Sequence, residues 1–396
     1  MKLLSTLLIS LVILSSCGDN TDSITENAGG SGNYTFNIVD SLVVDYLGTG
    51  VLADVSSDGN RFLIYDGQRT AFLVTDREGT ILHQFEKSGD ILDLPGDLFN
   101  PPAFYGSDQI ALYASRGYFI FDFDGILVKK VEDVTSRNMV IRRNYPKAVY
   151  PITFQNQPAI LSPNMDVLVR NPGKDEYYTE NKAVQIVMVE TDSVYPYVPF
   201  EANSRYLDGK GYPAMKILPK YSYNENKLSV TYPKESRVYL YDLTSNGFVL
   251  DQILEMAPSE FHIDNGVDRE SLDNSSGNSS FSFGSKMGEA NVGNIYHYGS
   301  TVIVEYNPGL PESLRKAPEI ITTSEGSMRL VSPDNIPSNL WQVFVDGEKR
   351  TDGFAAPEIL GTLAVGQGKF MWFTRAYNED EELDYLIYYK VELIEE

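Results

Sequence analysis

Between Val51 and Glu86 the chain runs through four short apolar stretches, Val51–Val55, Arg61–Tyr65, Ala71–Thr75 and Ile81–Phe85, separated by Ser-Ser-Asp-Gly, Asp-Gly-Gln-Arg and Arg-Glu-Gly. Short stretches rich in Val, Ile, Leu, Phe and Tyr, broken by residues that accept left-handed backbone angles, predict a four-stranded antiparallel meander. The stretches are nearly continuous in apolarity instead of alternating, so both faces of this sheet need cover. A sheet that requires a sheet on each side predicts a ring of them.

The same unit recurs. A short apolar strand, a small polar turn and a stronger apolar strand follow one another six times, beginning at Leu52, Ala103, Ile152, Tyr221, Ile295 and Thr362. Third and fourth strands follow in most units, as with Gly117–Asp122 and Ile126–Val131 around Asp124-Gly125. The spacing is irregular, roughly 45 to 75 residues, looser than a tight propeller array. Six four-stranded antiparallel units predict an all-β, six-bladed β-propeller. The last unit has three strands of its own, while Tyr34–Val39 and Leu42–Tyr46 precede the first. A ring must close or leave exposed edges, so the segment Tyr34–Tyr46 is expected to complete the blade built on Lys369–Phe373 and Tyr385–Leu393. Long connections at Val134–Tyr150, Asn171–Lys182, Pro196–Pro219 and Asp264–Gly293 interrupt the pattern.

The first residues add an address. Lys2 is a short basic region, Leu3 to Leu14 an apolar run too short for a comfortable membrane span, and Leu14-Ser15-Ser16-Cys17 closes it. Leu-Ser-Ser-Cys resembles the lipobox of bacterial lipoproteins, and Cys17 is the only cysteine in the chain. Residues 1–16 therefore read as a lipoprotein signal peptide and 17–33 as a lipidated Cys followed by a flexible Gly-rich tether. Residues 34–396 form the propeller domain. The implied partner is a membrane, held through acyl chains on Cys17, and the implied location is the outer membrane of the cell envelope, in either leaflet.

Composition narrows the function. With 26 Tyr, 19 Phe and a formal net charge of −23, the chain suits strands and disfavours nucleic acid or an anionic lipid surface as a direct partner. Three His offer little for catalysis, and neither a zinc nor a nucleotide motif occurs, so no metal or other cofactor is expected. His83 and His262 read as structural or surface residues. Asp122-Phe123-Asp124-Gly125 lacks the further oxygen ligands of a calcium loop and reads as a hairpin turn.

The inner strands line a propeller's channel, which makes Asp54, Tyr105, Tyr221, Tyr223, Tyr296, His297 and Tyr298 the candidate ligand-binding set at the channel mouth. Alternation along Tyr296-His297-Tyr298 sends either His297 or the two Tyr inward. Tyr rings with one Asp and one His suit a sugar or a peptide; packing between blades is the competing use of the same rings.

The Leu-Ser-Ser-Cys box, the tether, six loose blades, Asp58-Gly59 before Arg61–Tyr65 and the terminal Tyr385–Val391 together resemble the TolB-like six-bladed propeller lipoproteins of Bacteroidota. That resemblance brings no catalytic motif. It implies a lipid-anchored envelope module binding a protein, peptide or glycan. The alternative is a propeller-type hydrolase or lyase with an acidic, cation-holding channel mouth, and the fold cannot choose between them.

Overall fold

A computed structural model of the chain describes residues 32–87, 95, 98, 100–132, 147, 149–168, 170–273, 288–315, 319–322, 328–331, 336–376 and 384–396. The apolar leader, Cys17, nearly all of the tether and most of Val134–Tyr150 lie outside the described residues.

Six four-stranded antiparallel sheets form the blades of a propeller. Their innermost strands are Val51–Val55, Ala103–Tyr105, Tyr150–Phe154, Lys220–Asn224, Asn291–Tyr298 and Leu360–Gln367, taken as blades 1 to 6. In blades 1 to 4 the strands follow in chain order from the centre outward. Blade 5 departs from this. A separate hairpin, Glu319–Thr322 with Met328–Val331, intervenes before its third strand, and its outer strand is only Glu348–Lys349.

Blade 6 closes the ring. Leu360–Gln367, Phe370–Arg375 and Leu386–Glu395 are its own strands, and Tyr34–Val44 pairs antiparallel to the last, from Tyr34 opposite Glu395 to Val44 opposite Leu386. The two short strands expected within Tyr34–Tyr46 are one strand with a register shift between Ile38 and Asp40, which puts Phe36 and Leu42 on opposite faces of the blade, Phe36 packed with Trp341 towards blade 5 and Leu42 with Phe62 towards blade 1. Tyr34–Val44 is thereby the outermost strand of blade 6, so the two ends of the chain share one sheet.

The core lies between blades. Leu42 and Val44 from the N-terminal strand pack with Phe62, Ile64 and Trp372 where blades 6 and 1 meet. Leu63 and Phe72 meet Leu112 and Phe119 between blades 1 and 2. Burying one large apolar side chain of this kind is worth about 1.5–3 kcal/mol, so the near-continuous apolar strands are explained by two covered faces each.

The long connection Pro196–Pro219 holds short regular elements of its own. This segment carries the short helical turns Arg205–Leu207 and Ala214–Ile217, and Lys210–Gly211 pairs with Val267–Asp268. With Glu176–Thr179 from blade 3 they form an added layer over blades 3 to 5. Tyr177, Tyr178, Tyr206, Tyr212 and Tyr232 are fully buried there. Asp122 Oδ1 accepts the backbone N–H groups of Asp124 and Ile126, as a hairpin turn requires. Among the described residues, no helix is long and apolar enough to cross a membrane.

Candidate functional site

Inner strands in a propeller run side by side along the ring axis, so their C-terminal ends and first turns gather on one face. A cavity of about 700 Å3 opens there, within the roughly 300–1,000 Å3 of ordinary ligand pockets. Blade 1 contributes Asp54 to Asp58 and Arg61, blade 2 Phe104, Gly106 and Ser107, and blade 6 Leu363 and the turn Gly366-Gln367-Gly368. Blades 3, 4 and 5 contribute Tyr150, Tyr223 and Tyr296.

Asp54 anchors the charged side of the cavity. It is buried and accepts the N–H groups of Val55 and Phe104, each at 2.9 Å. The Lys147 ammonium sits 2.7 and 2.9 Å from its two oxygens. Lys147 also lies 5.4 Å from the centre of the Tyr150 ring, and its backbone N–H reaches the Ala364 carbonyl of blade 6. This one residue, arriving from the connection between blades 2 and 3, therefore touches blades 1, 3 and 6 across the axis.

Arg61 stands on the other side of Phe104. Its guanidinium carbon is 5.8 Å from the Phe104 ring centre and 5.5 Å from that of Phe123, and Nη1 donates to the Ser107 carbonyl at 2.5 Å. Two aromatic faces and one carbonyl fix the fork. Among the described residues no carboxylate lies within ion-pair distance of it. Asp58 is at the solvent-exposed rim, where the Ser56 hydroxyl and the Asn60 N–H hold its carboxyl below the ordinary range.

The three tyrosines have their hydroxyls engaged. Tyr296 donates to the Gly368 carbonyl at 2.6 Å and Tyr223 to Asn226 Oδ1 at 3.0 Å. The Tyr150 hydroxyl is held by Ser222 and the backbone of Tyr223. Burial raises all three phenols, that of Tyr223 to about 12, so they are neutral at physiological pH. Gly366 is required by the Tyr296 ring: a Cβ there would stand 1.8 Å from a ring carbon.

Of the residues expected from sequence, Asp54, Tyr223 and Tyr296 line the cavity, and Tyr105, Tyr221, His297 and Tyr298 are not among its lining residues. Tyr221 is buried against Tyr150. His297 is buried between blades 4 and 5, with Nδ1 2.6 Å from Ser229 Oγ and Nε2 3.1 Å from the Gly299 carbonyl. The carbonyl can only accept, so Nε2 carries the proton and Nδ1 accepts the Ser229 hydroxyl. Burial lowers the His297 pKa, which keeps this ring neutral and structural. Tyr105 and Tyr298 are half-buried, Tyr298 beside the Tyr296 ring at 5.7 Å between centres.

Sequence reasoning missed Arg61, Lys147 and Tyr150. Tyr150 is in step with Ile152 at a spacing of two and was legible as an inner-strand residue. Lys147 carries no local signal at all. Among the described residues, no group of three or more His, Cys, Asp or Glu is placed to hold a metal ion.

No protein-family model matches the chain, and no curated protein matches it. Solved structures do. A member of the DUF4221 family from Bacteroides vulgatus superposes with a TM-score of 0.54 at 10% identity, over 92% of this chain and 100% of the other. A Bacteroides fragilis protein described as exported gives 0.47 at 10% identity, over 94% and 97%. A gluconolactonase from Xanthomonas campestris gives 0.42 at 11% identity, over 92% and 98%. At such identity the first of these likenesses speaks for the fold alone, and this chain is a six-bladed β-propeller.

Proposed function

We propose that this chain is a lipid-anchored ligand-binding module of the cell envelope, with the axial cavity as its binding site. The observation that carries this reading is the cavity itself: about 700 Å3, open at one face, with ring systems from four blades and an oriented cation from a fifth. Rings around a few fixed polar groups are the usual make-up of a site for a small molecule or for the end of a larger one. The resemblance of Leu14-Ser15-Ser16-Cys17 to a lipobox supports the anchor.

The binding reading is tested by thermal shift of the full chain against glycan and peptide panels, wild type beside Tyr223→Ala. A ligand at a hundred times its Kd stabilises the folded state by about 2.7 kcal/mol, so a true ligand raises the wild-type Tm and loses that effect in the variant. Ligands that stabilise both forms equally would remove the cavity as the site. The anchor is tested by labelling with an alkyne fatty acid: incorporation is expected in the wild type and absent in Cys17→Ala. Label retained by the variant would overturn the anchor.

A further inference from the structure

The cavity's charges and its rings are arranged in different ways, and the difference points to a ligand chemistry. The inference rests on the axial cavity being the binding site.

Consider the charges first. The protein as a whole is strongly acidic, yet two cations, Lys147 and Arg61, line this cavity. Asp54 is sequestered, with both oxygens on Lys147 and two backbone N–H groups. An ammonium has three N–H donors, and two of those of Lys147 go to Asp54. Arg61 has one N–H on the Ser107 carbonyl and the rest of its fork without a carboxylate among the described residues. With Asp54 set against Lys147, the remaining cavity charges are Arg61 and the exposed Asp58, which feels the Arg61 charge without forming an ion pair with it. Asp58 faces open solvent at the rim, where salt screens it. A planar fork held on two aromatic faces is shaped for a carboxylate.

The rings come next. Because the hydroxyls of Tyr223 and Tyr296 donate within the protein and the Tyr150 oxygen accepts from Ser222 and the Tyr223 N–H, what the three residues offer a ligand is chiefly apolar ring surface. Such surface packs against the C–H faces of a pyranose. From the combination of an Arg61 fork without an ion-paired carboxylate on blade 1 with tyrosine ring surface on blades 3, 4 and 5, we infer that the cavity binds a carboxylate-bearing sugar, a hexuronate residue, with Arg61 as the specificity-determining residue and Lys147 as its second donor.

Calorimetry on the full chain tests this with matched pairs: D-glucuronate against D-glucose, D-galacturonate against D-galactose, D-mannuronate against D-mannose. In at least one pair the acid binds roughly ten- to a hundred-fold more tightly than the neutral sugar, the difference expected of one charged hydrogen-bonded contact. Arg61→Gln removes that preference. Should that variant fold poorly, the wild type still decides the matter, because the acid's affinity falls as salt is raised and the neutral sugar's does not. Three results overturn the inference. Acid and neutral sugars that bind equally, both weakened by Tyr223→Ala, leave the cavity as the site but remove the carboxylate receptor. A short peptide with a free C-terminus that binds where no uronate does replaces the sugar acid with a peptide. Uronate binding that neither Arg61→Gln nor Tyr223→Ala alters removes the cavity as the site.

Discussion

The two halves of the ring are built from the same kind of strand and do different work. In the half made of blades 6, 1 and 2, blade 1 places Asp54, Asp58 and Arg61 at the cavity. Blades 3, 4 and 5 give the cavity three tyrosines and carry an added layer that seals many more of them away. The ion pairs differ in the same sense. On the axis Lys147 meets Asp54 at the wall of an open cavity. In the added layer Lys234 and Lys216 each lie 2.9 Å from Glu289, and Arg315 pairs with Asp264. Those charges bind one another, tying the connections of blades 3 to 5 together. Tyrosine and charge thus hold the fold in one half and face a ligand space in the other, and neither residue type announces which.

The most disruptive way to break this comparison is at the seam. Deleting residues 31–47 removes a strand that buries Phe36, Leu42 and Val44, on the order of 6 kcal/mol of apolar burial. Differential scanning calorimetry should then show Tm falling by about 10 °C or more. An unchanged Tm would mean the ring is not closed by this strand.

A smaller loss is expected in the added layer. Glu289→Ala strands the Lys234 ammonium in a buried position, and breaking a buried pair from one side costs about 3–5 kcal/mol. Chemical denaturation should record that loss, while ligand affinity at the cavity stays as in the wild type. A joint loss of both would show that the two halves are coupled.

Acid titration sharpens the same point. Burial alone would raise the Glu289 carboxyl, but its hydrogen bond with Asp264 and the ammonium groups of Lys234 and Lys216 outweigh burial and hold it at about 2, against 4.5 for a free Glu. A depressed carboxyl contributes stability that is complete above the unfolded pKa and is lost as pH falls from about 4.5 towards 2. Asp264, raised by burial and by Glu289, acts with the opposite sign. Glu289→Gln should flatten the stability curve between pH 4.5 and 2, and a wild-type slope in the variant would assign acid unfolding to other groups.

The smallest stability effect belongs to the cavity. Tyr223 is half-buried, and Tyr223→Ala should cost no more than about 2 kcal/mol while abolishing ligand-induced stabilisation. A collapse in Tm with this variant would make Tyr223 a structural residue like its buried counterparts.

The blades themselves were legible in the sequence because strand, turn and burial are local properties. Ala71–Thr75 is apolar on both faces and is buried on both, and Asp124-Gly125 turns where its type says it should. Closure was legible too, since three C-terminal strands and one N-terminal strand left a count that only a ring satisfies. The site was half legible. Alternation put Tyr296 and His297 on opposite sides, but choosing between them required the neighbouring blade: Ser222 and Ser229 give His297 its partners, and Gly366 makes room for the Tyr296 ring. Arg61 and Lys147 are 86 positions apart in the chain and share a cavity only because six sheets bring their inner strands to one axis. Pattern along the chain fixes which faces must be covered, because burial is decided residue by residue. Which groups meet across the ring is set by how the blades pack around it.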